Sequence, residues 1–448
     1  MATFKPLRAL LPLSLIMLTA PLAAAEFVVN STADAPDTNP GDGACTGFGL
    51  PPSARCTLRA AIMEANAQGG THLIGLPQGE YMLDEAGSNE DLAVTGDLDI
   101  RSDITIVNGS AEFPVIRQDI GDRFFDVHPG AHLKLQHIAM ASGDVTATAV
   151  PLGGAVRIAN AGELLLERSY IYGSRAAKGG AIYSEGHLVI TDSDLQYNFL
   201  VDPAPDDQNQ GSAIAMRTGN IGFADLAIVN SSLSDNGEVV FGGDLVPNTY
   251  ALLVEDGALA QLSNASITGN TRGIWARGGS RLQLLMSTVA ANESFGLRFD
   301  HDANSADVQL FVTHSVITGN GAVSQCRSQS NFFINANLAQ IQTSNSYNAA
   351  GDASCGFDGT LDRQLASWPF RNSPVQHGVV RYFLPLPGGG LVDTGHDGCA
   401  LDEDLRGKAR PINATGLAMA NCDIGAVEFD PQTDAALIDA LFNDSFED

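Results

Sequence analysis

One acidic cluster in the chain is Asp300-His301-Asp302, with Arg298 just before it and Asp307 after. Carboxylates and a guanidinium held together can pass a proton or bind an anionic group. Arg277 and Arg281 stand about one structural repeat upstream and would extend such a site into a groove for an anionic ligand. A second candidate is Asp206-Asp207, in the insertion Val201 to Gln210 with Asp202 close by. Oxygen donors of this kind suit Ca2+. The run lacks EF-hand or Gly-Asp repeat spacing, so a solvated loop is the plainer expectation. No CxxC pair or Cys/His cluster marks a metal centre. His128, His132 and His137 read as surface or satisfied groups, because their spacing fits no Zn pattern.

Neither run can act until the chain brings partners beside it, and a ragged repeat shows how. Leu188, Ile190, Ser193, Leu195 and Asn198 recur as Leu226, Ile228, Ser231, Leu233 and Asn236. The frame is apolar at 0, +2 and +7, small at +5, and often Asn at +10. Copies start at Leu133, Leu164, Leu188, Leu226, Ala260, Leu282 and Leu310. Within each copy the apolar period is two, so the pieces are strands. One such turn cannot bury its own face, whereas stacked turns can. The expectation is an all-β, right-handed parallel β-helix, each coil adding about 4.8 Å. Residues 71–380 are assigned to its coils.

Corner chemistry supports the register. Gly153-Gly154-Ala155-Val156, Gly179-Gly180-Ala181-Ile182 and Gly211-Ser212-Ala213-Ile214 precede repeats. Glycine permits φ > 0 there, and the apolar residue after it points inward. Asn at +10 is expected to take the left-handed conformation and to bond to its counterparts in neighbouring coils. An open solenoid end needs a lid. Leu58, Ala61, Ile62 and Ala65 form the apolar face of a short helix, with Thr57 as N-cap and Gly69-Gly70 as its stop.

Lys5 and Arg8 before the apolar run Ala9 to Ala20, with Ala23-Ala24-Ala25 behind it, read as a secretory signal peptide over 1–25. The surface or exterior of a Gram-negative bacterium is the expected location, with the periplasm as alternative. Export makes disulfides plausible. The six cysteines fall as three near pairs, Cys45 with Cys56, Cys326 with Cys355, and Cys399 with Cys422. Those pairings would staple the two ends of the solenoid. The formal charge of −28, from 52 Asp+Glu against 24 Lys+Arg, disfavours nucleic acid as a partner. No segment after the signal is long and apolar enough to span a bilayer as a helix, and a monomer is expected.

Cys56-Thr57-Leu58-Arg59-Ala60-Ala61 resembles the motif of the CSLREA domain of exported bacterial proteins, within an N-terminal region 26–70. Ala60 stands where that family has Glu. Val392-Asp393-Thr394-Gly395, Asp404-Leu405-Arg406-Gly407 and Cys422-Asp423-Ile424-Gly425-Ala426-Val427-Glu428-Phe429 are similar to the choice-of-anchor Q domain, here 381–430. The coils between resemble pectate-lyase-like β-helices and polymorphic outer-membrane repeats. Leu441-Phe442-Asn443-Asp444-Ser445-Phe446-Glu447, in the tail 431–448, resembles a short terminal signature of exported proteins. These resemblances imply a β-helix and export, but no particular chemistry.

Two functions follow as expectations. The main one is a secreted or cell-surface β-helix that binds glycans or surfaces without catalysis and needs no cofactor. The galacturonase-like Asn-Thr-Asp, Gly-His-Gly and Arg-Ile-Lys strings are absent. The alternative is a lyase or glycoside hydrolase acting on an acidic polysaccharide in a groove along the solenoid, with Ca2+ as a candidate cation. Two or three acids and an arginine aligned on adjacent coils of one face would favour the alternative.

Overall fold

The computed structural model describes residues 27–51, 55–87, 90–201, 210–218, 225–237, 249–301, 308–321, 324–330, 347–357, 359–416 and 420–438. The expected signal peptide, Asp202, Asp206, Asp207, Asp302 and the tail beyond residue 438 lie outside them.

The chain is a right-handed parallel β-helix. The hand follows from the right-handed crossover that twisted parallel strands require. Three long parallel sheets run along it, of ten, nine and eleven strands among the described residues. A typical coil passes from Glu163–Glu167 in the ten-stranded sheet, through Tyr170–Tyr172 in the eleven-stranded sheet, to Ile182–Ser184 in the nine-stranded sheet. All seven repeat starts stand in one register column, from Leu133 and Leu164 to Leu282 and Leu310. Their side chains are buried and alternate with outward ones, as a period of two demands. Two earlier coils continue the column through Ile104 and His72. There the bend after Val107 is longer and delays the next strand to Val115, which hides the +5 and +7 positions.

The corners hold the coils together through side-chain ladders. Asn198, Asn236, Asn270, Asn292 and Asn320 are all buried, and each Nδ2 donates to the amide oxygen of the next, at 2.7–3.0 Å. Each Nδ2 also reaches a strand carbonyl, as Asn270 does to Leu233 O at 3.0 Å. The expected bonding is present, but the expected left-handed conformation lies one residue earlier. Tyr197, Asp235 and Ala291 have φ of 52°, 53° and 55°, and Gly269 and Gly319 fill the same place. The tight corner therefore turns just before Asn and aims the amide inward. Gly153, Gly179 and Gly211 do have positive φ, and a Cβ there would meet a backbone carbonyl at 2.2–2.4 Å. Replacing Asn270 with alanine strips partners from Leu233 O, Asn236 and Asn292 in a fully buried site. We expect a loss of roughly 2–4 kcal/mol in urea unfolding. A loss below about 1 kcal/mol would mean that water replaces the amide.

The N-terminal lid is the helix Leu58–Gln68, capped by Thr57 Oγ1, which accepts from Ala60 N at 3.0 Å. Its first eight residues are all buried, not one face only. The preceding segment crosses the helix, so Arg59 and Glu64 are covered from the far side and find partners there. The three expected disulfides are formed. Cys45–Cys56 fastens the lid segment, and Cys326–Cys355 joins strand Cys326–Ser330 to the short 3-10 turn Ala353–Cys355. Cys399–Cys422 belongs to a C-terminal module that packs sideways on the solenoid and does not stack on its end.

That module begins around the antiparallel hairpin Val375–His377 and Val380–Tyr382. It lies on the outer face of the eleven-stranded sheet, whose outward residues beneath it are small. Arg381 N donates to Ser232 Oγ at 3.0 Å, Ala426 N to Thr288 Oγ1 at 3.0 Å, and Gly425 N to His314 O at 2.9 Å. A Cβ on Gly425 would sit 2.9 Å from Thr288 Oγ1, so this approach requires glycine.

Candidate functional site

On each strand of the nine-stranded sheet a residue flanked by two core residues must point outward. Leu98-Asp99-Ile100, Phe125-Asp126-Val127 and Val156-Arg157-Ile158 are the first three such triplets. Their middle residues are register partners, so Asp99, Asp126 and Arg157 stand side by side on three consecutive coils. The column continues through Tyr183, Ala215, Leu253, Trp275 and Arg298 to Arg327. One face thus changes from acidic at its N-terminal end to aromatic and basic at the other. Parallel pairing forces this alignment, because one coil stacks on the next without slipping.

At the acidic end Arg157 Nε lies 3.1 Å from Asp126 Oδ1. Arg123 Nη1 bridges Asp126 Oδ2 at 3.2 Å and Asp97 Oδ2 at 2.9 Å. His128 Nε2 is 2.7 Å from Asp99 Oδ1, and Asp99 also accepts from Ala93 N at 2.9 Å. A cavity of about 140 Å3 opens between Glu90, Asp91, Asp97, Asp122, Asp126 and the two arginines. Burial pushes the Asp97 carboxyl up to about 8, although Arg123 opposes it. Burial also raises Asp99 and Asp122. The hydrogen bond to Asp99 raises His128. The arrangement therefore sets a proton-holding carboxyl, Asp97, on the same guanidinium as Asp126, which is a layout for acid–base work. Ligand atoms of Asp91, Asp99 and His128 converge within 4.8 Å of one another and could hold a divalent cation. Two carboxylates with an imidazole suit a transition ion better than Ca2+, which prefers oxygen alone.

The structure relocates the candidates at 298–300. Leu297–His301 is a strand of this sheet, so Arg298 and Asp300 stand on the face itself and not on a projecting loop. Arg298 lies over the Trp275 ring at 3.9 Å, and Arg277 lies 4.4 Å from the same ring centroid. Asp300 accepts from Trp275 Nε1 at 2.8 Å and from Arg298 Nε at 3.0 Å. Burial raises its carboxyl, against the pull of Arg298. Asp300 is thus occupied in holding a cation–π stack. Arg277 is gripped by Glu255, which also pairs with Lys178. Arg281 does not join this group. It opens the strand Arg281–Leu285 of the ten-stranded sheet, around the corner, where it is exposed.

Sequence reasoning passed over Asp97, Asp99, Asp126, Arg123 and Arg157. A usable signal was present: a charged residue between two core residues, at positions 99, 126 and 157, with intervals of about one coil. The basic residues are also concentrated. Arg157, Arg217, Arg277, Arg298 and Arg327 all serve this sheet, in a chain with 52 acidic and 24 basic residues.

Residues 154–345 match the family described as right handed beta helix region. Among solved structures, pectate lyase Pel9A is similar at 11% identity, over 91% of this chain and 97% of that one, with a TM-score of 0.44. The A-module of mannuronan C-5 epimerase AlgE6 from Azotobacter vinelandii is similar at 16% identity, over 65% of this chain and 88% of that one, with a TM-score of 0.32. No curated protein matches. Likenesses this distant transfer no activity. Among the described residues no helix is long and apolar enough to cross a membrane.

Proposed function

We propose that this chain is an exported, carbohydrate-active β-helix that works on an acidic polysaccharide along its nine-stranded sheet. The observation that carries this reading is the alignment of Asp99, Asp126 and Arg157 on three adjacent coils. A polyanion needs local positive charge on an otherwise acidic protein, and the arginines of this sheet supply it. Asp97 and Asp126 are the acid–base pair of this reading. Arg157 holds a substrate carboxylate beside them. A cation at Asp91, Asp99 and His128 would neutralise charge at the same end. The end segments that resemble the CSLREA and choice-of-anchor Q domains, with the signal peptide expected over residues 1–25, support export from a bacterium.

The test is product release. Protein starting at Glu26 is incubated with polygalacturonate, alginate and a neutral glucan, with and without Ca2+ or Mn2+. Unsaturated uronide absorbance and new reducing ends are followed. We expect products from an acidic polymer and a fall of about 100-fold or more in Arg157→Ala and Asp126→Asn, the scale of lost acid–base catalysis. No products from any polymer would remove the catalytic reading. Retained binding of the acidic polymer would then support the glycan-binding role expected from the sequence.

A further inference from the structure

A second cleft lies away from the sheet groove, where the C-terminal module overhangs the corner between the ten- and eleven-stranded sheets. Its volume is about 600 Å3, within the size range of small-molecule sites, and it sits between two lobes, where such sites concentrate. One wall is the solenoid corner, with Phe113, His137, Arg168 and Asp192. The other is the module, with Val379, Leu405, His377 and Glu403. Phe113 and His137 pack ring against ring at 4.0 Å, and together with Val379 and Leu405 they give an apolar surface.

The polar groups here differ from those of the sheet groove. There, carboxylates and guanidiniums are mutually paired. In the cleft, Asp192, Glu403 and His377 make no side-chain hydrogen bond or ion pair among the described residues, although each lines the cavity. The Arg168 side chain pairs with its neighbour Glu167, at 3.1 Å, on the rim of the cleft. The module's backbone holds this wall in place, since Asn264 Nδ2 donates to Glu403 O at 2.8 Å. Free carboxylate acceptors beside an apolar wall complement hydroxyl donors on a ring with an apolar face. They repel a ligand carboxylate.

We propose that this cleft binds a neutral saccharide, one or two sugar units long, independently of the sheet groove. Sugar hydroxyls donate to Asp192 and Glu403, Arg168 and His377 donate to ring or hydroxyl oxygens, and Phe113 and Leu405 cover a C–H face. The protein then holds on to a neutral glycan while its other face meets an acidic one.

Calorimetric titration of the protein from Glu26 tests this, with cellohexaose, maltohexaose and chitohexaose as neutral probes and hexagalacturonate as the charged one. We expect binding of at least one neutral probe. It should weaken about tenfold or more in Asp192→Ala/Glu403→Ala, from two lost charge-assisted hydrogen bonds. Both residues are exposed, so melting should not move, and Arg157→Ala should bind the neutral probe normally. Val379→Trp, which fills the cleft without altering its charge, should also abolish binding. Failure of every neutral probe to bind overturns the proposal. So does neutral binding that survives both cleft variants, or a cleft-dependent preference for hexagalacturonate. None of these outcomes bears on product release by the sheet groove.

Discussion

Arg59→Ala should be among the most destabilising single substitutions in this chain, at about 3–5 kcal/mol. The guanidinium is fully buried under the N-terminal segment. It forms a two-pronged pair with Asp34, at 2.7 and 2.8 Å, and donates to the carbonyls of Ala93 and Gly96 at 3.0 and 2.8 Å. Asp34 also accepts from the backbone of Asp84 and Glu85, so one ion pair ties the lid to the loops of the first coils. Removing the arginine leaves a buried carboxylate without its counter-charge and takes a donor from the carbonyls of Ala93, Gly96 and Asp97, which costs more than the pair itself is worth. The double substitution Asp34→Leu/Arg59→Met removes both charges and should recover much of the loss. Guanidinium unfolding of the three variants decides it. A single-variant loss under about 1 kcal/mol would mean that the lid does not depend on this pair.

The second large effect is on acid stability, and it comes from His314. Its side chain is 6% exposed, stacks on Tyr347 at 5.3 Å, and lies under the C-terminal module beside His396 and Arg410. Among the described residues neither ring nitrogen has a hydrogen-bond partner. Burial, helped by the charges of His396 and Arg410, pushes its pKa down to about 4. The unfolded chain binds this proton near pH 6.5 and the folded one only near 4, so stability is complete above pH 6.5 and drains away as pH falls toward 4. The gap corresponds to roughly 3 kcal/mol. His314→Phe keeps the stacking and cannot be protonated. We expect the wild type to lose more melting temperature than this variant between pH 7 and 4. Parallel pH curves for the two would show that His314 does not sense acid. Limited proteolysis at pH 4.5 should show whether cleavage begins in the module, as expected if its docking fails first.

Much of this architecture was written in the sequence because a solenoid is a local code repeated. Leu188, Ile190 and Leu195 state the strand period, and the same frame at Leu226 and Leu282 states the stacking, so the β-helix follows from burial alone. Asn198 and Asn236 announce a ladder because an amide recurring at the same corner of successive coils stands within reach of its neighbour's amide. Cys45 and Cys56, like the other near pairs, closed the short loops that proximity favours. The candidate site was less legible. Asp300 and Arg298 stand out as part of an acidic cluster, but Trp275, one coil away, occupies both. Arg281 looked close to Arg277 in sequence and stands around the corner, because four residues are enough to leave one sheet and enter the next.

The amino-acid sequence by itself determined the coil and its register, which rest on contacts between residues one repeat apart, and its staples, which join cysteines near in sequence. Only the tertiary structure decided which outward charges share a face. Asp99, Asp126 and Arg157 are single residues among many charged ones until the length of every intervening loop is absorbed and the strands stack. The sideways docking of the C-terminal module was equally hidden. It depends on small residues such as Ser232 and Thr288, whose size matters only once another part of the chain is laid against them.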